Sequence, residues 1–152
     1  MNITVVNLTA KKMNSKRLHS ALNAILGVLL TKKLRQKKQL LEKKEIVFVF
    51  LSESEMKKIN FQYRGKNKST DVLSFQSDEI STLGELVFCT PVLKKQALAQ
   101  KHTVDLELLY MIIHGILHLL GYDHELSKLE EKRMFQIQDF CFEQVRHLKK
   151  VF

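Results

Sequence analysis

Residues 108–124, which read LLYMIIHGILHLLGYDH, are the most informative stretch of this sequence. The part before Gly121 is apolar on nearly every side, which is typical of a helix buried in a core rather than lying on the surface. Gly121 predicts the end of that helix, because glycine readily adopts the left-handed conformation that reverses the chain there. We therefore predict a central buried helix from Val104 to Leu120.

Three histidines lie in this stretch with the spacing H-x-x-x-H-x-x-G-x-x-H, at His114, His118 and His124. Imidazoles four residues apart share one helix face, and the turn after the helix can bring back a third. Three nitrogen ligands with an open fourth position are typical of a catalytic zinc site. Three unrelated histidines are the alternative, but they leave the spacing unexplained, so we predict one Zn²⁺ per chain; three histidines also suit nickel or copper. The other histidines have no neighbour at ligand spacing and are expected at the surface: His19, His102 and His147.

The same spacing occurs in metzincin proteases, with one difference. Those enzymes carry a glutamate directly after the first histidine, where it acts as general base. This chain has Gly115 at that position. Because a peptidase without that base loses its usual mechanism, the segment favours a metal site without protease chemistry.

The rest of the chain predicts a mixture of strands and helices. Capping boxes at Ser52 with Glu55, and at Ser127 with Glu130, mark two helix starts. The predicted strands are Ile3 to Leu8, Ile46 to Leu51, Val72 to Phe75 and Glu85 to Cys89. The predicted helices besides the buried one are Asn14 to about Leu34, Ser52 to about Tyr63, Pro91 to about Lys101 and Lys128 to about Lys149. This order predicts an α+β fold in which a small mixed β-sheet packs with helices and the central helix carries the zinc site in a zincin-like arrangement.

Composition indicates a single globular domain spanning residues 1–152, since 45% of the residues are apolar and 27% are charged. The longest apolar runs are too short to cross a bilayer. Residues 1–6 lack the layout of a signal peptide, so we expect a soluble, cytoplasmic protein. Cys89 and Cys141 lie far apart and are expected to be reduced and buried.

The chain is strongly basic, with 25 Lys and Arg against 16 Asp and Glu and a net charge of +9. Such a balance favours a polyanionic partner, either nucleic acid or an anionic membrane, although charge can also serve solubility alone. Basic residues cluster in Lys32–Lys44, and Lys66 and Lys68 add more. For Lys32–Lys44, phosphate contact and a solvated helix end are both open.

Four motifs resemble one known family. His114 to His124, HGILHLLGYDH, resembles the H-G-x-L-H-L-x-G-Y-D-H signature of the YbeY family. Residues 60–67, NFQYRGKN, and residues 70–75, TDVLSF, resemble a second family block. Residues 83–87, LGELV, resemble a third. The resemblance covers most of the chain from about residue 46 onward.

This resemblance implies a function. The family consists of bacterial metal-dependent endoribonucleases that mature ribosomal RNA, so the chain is expected to be a zinc-dependent, single-strand-specific endoribonuclease in the maturation of the 16S 3′ end and in ribosome quality control. The implied partners are single-stranded rRNA and the ribosome or its small subunit, with neither a membrane nor DNA. The resemblance also implies that His114, His118 and His124 bind the metal. Two alternatives are a non-catalytic ribosome assembly factor with a structural metal and another metal-dependent hydrolase.

Two further residues are candidates for catalysis. By resemblance, Arg64 is the required arginine of the cleft, and its guanidinium would offer fixed donors to a phosphoryl group that gains negative charge. On composition alone, Arg64 would be a solvated cation in a basic loop. Asp123 is expected either to orient an imidazole or accept a proton, or only to shape the turn. Tyr122 is expected to pack.

Overall fold

A four-stranded sheet packed with helices forms this protein, whose computed structural model describes residues 1–9 and 13–147. The strands are β1 (Asn2–Asn7), β2 (Glu45–Leu51), β3 (Val72–Gln76) and β4 (Thr82–Cys89). The helices are α1 (Ser15–Leu29), α2 (Lys37–Glu42), α3 (Glu53–Arg64), α4 (Thr90–Ala99), α5 (Val104–Leu119) and α6 (Lys128–Val145). The prediction of an α+β fold with a small mixed sheet is confirmed.

The sheet has the strand order β1-β2-β4-β3, in which only the β3–β4 pair is antiparallel. Parallel neighbours need a crossover connection, which α1 and α2 supply between β1 and β2. Side chains alternate between the two faces along each strand. Ile46, Phe48 and Phe50 of β2 enter the larger apolar cluster, which the sheet shares with α1, α5 and α6. Leu51 enters a smaller cluster on the other face, together with Met56 of α3.

Aromatic contacts fix the centre of the sheet on the larger cluster's side. The Phe88 ring on β4 stacks on Phe50, with 5.3 Å between ring centroids, and meets Phe48 edge-on at 5.5 Å. All three side chains are fully buried. Since such rings carry large buried areas, this trio holds the two central strands in register beneath α5.

Helix α5 is central, as its apolar sequence predicts, and packs against β3, β4, α1, α4 and α6. Thr103 caps its start by accepting a hydrogen bond from the Leu106 backbone N–H. Gly121, with φ of 82°, reverses the chain just after its end, which confirms the predicted stop. A Cβ atom at Gly115 would lie 2.6 Å from the side chain of Leu86 on β4, so a glutamate at this position, as in the proteases, would require the buried Leu86 to move.

The segment after α1 differs from its prediction. The predicted helix from Asn14 to about Leu34 ends at Leu29, where the Thr31 hydroxyl donates to the Val28 carbonyl and the Lys37 ammonium donates to the Leu30 carbonyl. These side chains satisfy carbonyls that a longer helix would have paired internally. Helix α2, which follows, was not predicted. The predicted end of α6 at about Lys149 lies outside the described residues.

Other expectations concern burial. Cys89 and Cys141 are free and buried, as predicted. Of the three histidines predicted at the surface, His147 is exposed, whereas His19 and His102 are only partly exposed. The imidazole of His102 is 16% exposed and lies 2.7 Å from the carboxylate of Glu107, because a buried acid on α5 needs a nearby partner. Among the described residues, no helix has the length and apolar composition needed to span a membrane.

Candidate metal centre

Three imidazoles converge where α5 ends. The ring centroids of His114 and His118 lie 4.7 Å apart, and His124 lies 5.1 Å from the first and 5.2 Å from the second. Each ring offers one nitrogen, and these three nitrogens all lie within 4.8 Å of one another. One helical turn separates the first two histidines, and the turn at Gly121 returns the third. The structure therefore brings together the three residues predicted as ligands, in a group that can hold a metal ion.

Hydrogen bonding around the rings shows whether a cation fits. The Nδ1 of His114 lies 2.9 Å from Oε1 of Gln138. An amide oxygen can only accept, so this contact is a hydrogen bond when Nδ1 carries the proton and Nε2 holds the lone pair. That Nε2 lies 3.1 Å from Nε2 of His118. Nδ1 of His124 is buried and has no hydrogen-bond partner among residues 1–9 and 13–147. Three imidazole nitrogens grouped within 4.8 Å of one another fit a divalent cation that prefers imidazole ligands, such as Zn²⁺.

Burial keeps two of the imidazoles neutral. Together with the nearby His114 and His124, whose effects are smaller, it lowers the pKa of His118 to about 4. The pKa of His114 is also lowered, chiefly by burial, although the hydrogen bond to Gln138 opposes the shift. Because only the neutral ring can bind a metal, both shifts keep these side chains in the binding form below neutral pH.

The lowered pKa of His118 predicts acid sensitivity of the metal-free protein. An unfolded chain takes up a proton on this histidine near pH 6.5, whereas the folded chain does so only near pH 4, so the free energy of unfolding falls as the pH drops between these values. We expect a loss of about 2 kcal/mol from this group. Urea denaturation of the metal-free protein at pH 7, 6 and 5 measures it. His118→Ala should lose less over the same range; an equal loss contradicts the assignment.

The imidazoles lie in a cleft of about 370 Å³ whose walls differ in character. Arg64, Lys66 and Lys68, from the end of α3 and the loop that follows, give it a cationic part. The cleft is also lined by apolar and aromatic side chains, those of Tyr110, Met111 and Phe135. Such a cleft offers an anion both a cationic wall and a cluster of candidate metal ligands.

Arg64 is the last residue of α3 and lies in this cleft beside the three histidines. Gly65 ends the helix directly after it, with φ of 66°. The side chain is exposed, and its positive charge helps to lower the pKa of both His114 and His118. The predicted arginine and the predicted ligands thus share one surface.

Asp123 belongs to the turn that follows α5. Its carboxylate Oδ1 accepts a hydrogen bond of 2.9 Å from the Glu125 backbone N–H, so it shapes the turn that carries the third histidine. It is not among the described residues that line the cleft. The neighbouring Tyr122 is buried, as predicted, and its hydroxyl accepts a hydrogen bond of 3.1 Å from the Arg35 backbone N–H.

Much of the basic stretch Lys32–Lys44 has partners inside the protein. The Arg35 guanidinium donates two hydrogen bonds to Glu130 of α6, at 2.6 and 2.8 Å. The Lys32 ammonium lies 3.2 Å from the ring centroid of Phe140. Lys37 and Lys43 donate to backbone carbonyls. These contacts give four of the cations a structural role and leave fewer free for a phosphate chain.

Two polar residues near the histidines were not predicted. Gln138 is fully buried on α6, and a polar residue in the apolar stripe formed by Met134, Cys141 and Val145 was a signal that the sequence contained. Asp71 lines the cleft; its Oδ2 accepts a hydrogen bond of 2.8 Å from Gln96, and its charge acts to raise the pKa of His114. For Asp71 the signal in the sequence was its place in the TDVLSF block, residues 70–75.

The fold and the site together define a mixed α+β protein with a three-histidine centre that can hold a metal. A family model described as Endoribonuclease YbeY matches residues 4–146. The chain therefore belongs to the YbeY family, which confirms the resemblance found in its motifs.

Individual relatives are similar to this protein over nearly the whole chain. A protein of Bdellovibrio bacteriovorus named Endoribonuclease YbeY is 43% identical over 151 residues, which cover 99% of this chain and 98% of the relative. A protein of the same name from Mycoplasmopsis synoviae is 36% identical and covers 93% of this chain and 92% of the relative. The solution structure of a Thermotoga maritima protein is similar in fold, with a TM-score of 0.62 and 32% identity. The match covers 94% of this chain and 88% of the Thermotoga maritima protein.

Proposed function

We propose that this protein is a zinc-dependent endoribonuclease that cleaves single-stranded RNA and acts in the cytoplasm as a single domain, residues 1–152, with a zincin-like metal site. Its substrate is ribosomal RNA on the ribosome or its small subunit, and its role is maturation of the 16S 3′ end and ribosome quality control. The endoribonuclease activity follows from membership of the YbeY family. The observation that carries the proposal is the shared cleft of Arg64 and the three histidines.

In this proposal, His114, His118 and His124 hold the metal. When bound, a divalent cation supplies Lewis acidity that stabilises negative charge on a phosphoryl oxygen. Arg64 donates from its planar guanidinium to the other phosphoryl oxygens as their charge grows, and its own charge does not depend on pH. Asp123 holds the turn that positions His124, and the same carboxylate is a candidate to accept a proton.

The substrate chain follows the cationic wall of the cleft. Lys66 and Lys68 stand beside Arg64 and attract the phosphates on either side of the cleaved bond, which gives binding that is independent of sequence and sensitive to salt. The Lys66 ammonium lies 3.7 Å from the Glu125 carboxylate, so phosphate must compete with that exposed ion pair. Exposed ion pairs contribute little free energy, so phosphate can readily displace the Glu125 carboxylate.

The experiment that tests the proposal pairs metal content with cleavage. The purified protein is prepared metal-free with a chelator and reloaded with Zn²⁺, and each form is incubated with a single-stranded RNA, its duplex form and the matching DNA strand. We expect about one metal per chain and cleavage of single-stranded RNA only by the loaded form. End-group analysis of the fragments then shows whether water or the RNA 2′-hydroxyl attacks. Equal cleavage by both forms, or no cleavage by either, contradicts a metal-dependent nuclease.

A further inference from the structure

One buried side chain outside the histidine cluster contacts it directly. Gln138 lies on α6 and is fully buried, with none of its surface exposed. Its Oε1 lies 2.9 Å from Nδ1 of His114, and an acceptor at this place favours the tautomer in which Nε2 of His114 carries no proton. Its other polar atom, Nε2 of the amide, is buried without a hydrogen-bond partner among the residues that the structure describes.

The unpaired amide nitrogen of Gln138 matters because the amide can take two orientations. Gln138 can turn its amide by half a rotation, which exchanges the oxygen for the nitrogen at nearly the same place. In that second orientation the amide donates to Nδ1 of His114, so the ring proton must move to Nε2. A proton on Nε2 would point at His118 and occupy the position that a metal ion needs. Each amide orientation therefore selects one tautomer of His114.

We propose that Gln138 is a positioning residue whose amide oxygen holds His114 in the tautomer that binds metal. This inference rests on the proposed metal site. An acceptor on the far nitrogen fixes the ring's rotation and its tautomer and makes the ligating nitrogen more basic, which is how the outer partners of metal-binding histidines act. The side chain reaches His114 from another helix, so it also ties the packing of α6 on α5 to the geometry of the site.

The packing of α6 supports this role. Met134 and Cys141, which lie one turn to either side of Gln138, are fully buried and contribute to the larger apolar cluster. A leucine or methionine at position 138 would fill the same space without a buried unpaired amide nitrogen, which carries a cost of its own. Among the described residues, the hydrogen bond that Gln138 makes is to His114, so a polar residue at this position serves that imidazole.

The test uses three variants of the full chain. Gln138→Met keeps the size of the side chain and removes the acceptor, while Gln138→Glu keeps an acceptor and removes the orphaned donor. Gln136→Met makes the same chemical change at an exposed position of α6 and serves as the matched control. Zn²⁺ affinity is measured by competition with a chromogenic chelator. The His114 tautomer is read from ¹⁵N chemical shifts of the metal-free protein, and thermal denaturation of each metal-free variant checks folding.

We expect Gln138→Met to weaken Zn²⁺ binding by about 10- to 100-fold and to populate both His114 tautomers. Gln138→Glu should bind Zn²⁺ about as tightly as the wild type and keep the proton on Nδ1. Gln136→Met should match the wild type in both measurements. A folded Gln138→Met protein with wild-type affinity and an unchanged tautomer overturns the inference while the metal site stands. A wild type that binds no Zn²⁺ defeats the proposed function instead; the ¹⁵N shifts still decide whether Gln138 sets the tautomer.

Discussion

His118→Ala is expected to lose stoichiometric metal binding and, with it, RNA cleavage. The imidazole of this residue faces both other histidines, with its Nε2 3.1 Å from Nε2 of His114. Removing it leaves two of the candidate ligands, below the three protein ligands that catalytic zinc sites use. Replacing a residue that only supports a ligand costs about 10- to 100-fold in affinity, so loss of the ligand itself should cost more than about 100-fold. Elemental analysis after dialysis measures the bound metal.

The control for this experiment is His147→Ala, which removes an exposed imidazole that is no part of the histidine cluster. It should keep both metal and activity. The metal-free His118→Ala protein should still unfold cooperatively, because the side chain that it loses is only partly buried. If the variant keeps about one tightly bound metal, the three-histidine site is the wrong one. If it fails to fold even when metal-free, the histidine has a structural role that the proposal does not include.

Local sequence signals predicted the elements that build the site. Ser52 accepts from the Glu55 backbone N–H while the Glu55 carboxylate accepts from the Ser52 backbone N–H, as the capping box required. Gly121 ends α5 in the left-handed conformation. Both features depend on residues within a few positions of each other, so the sequence contains all the information needed. The convergence of His114, His118 and His124 was predictable for the same reason.

Features that depend on distant pairs were harder to predict. The end of α1 depends on Lys37, and the place of Arg35 depends on Glu130, which lies 95 positions further along the chain. Periodicity alone continued the helix to Leu34. The contact between Gln138 and His114 joins two helices, and the sequence indicated only a polar residue in an apolar stripe. Packing between elements decides these features, and the residue pattern along a single sequence does not reveal which distant side chains meet.

Arg64→Ala is expected to keep the metal and lose most of the cleavage rate. The residue lines the cleft with the histidines but is exposed at the end of α3, so its removal leaves the three imidazoles and their burial in place. A donor that acts on charge developing in the transition state is worth about 100- to 1,000-fold in kcat, and we expect a loss of that size. Single-turnover cleavage at saturating protein separates this loss from weaker RNA binding. Metal content should equal that of the wild type.

Two further variants decide how Arg64 acts. Arg64→Lys keeps a positive charge but loses the planar fork of donors, so it should recover RNA binding and only part of the rate. Lys57→Ala removes an exposed cation from the same helix, outside the residues that line the cleft, and should cleave like the wild type. If Arg64→Ala cleaves at the wild-type rate, the arginine is the solvated cation that its loop composition alone suggests. If Arg64→Lys recovers the full rate, charge alone is sufficient and the guanidinium geometry has no part in catalysis.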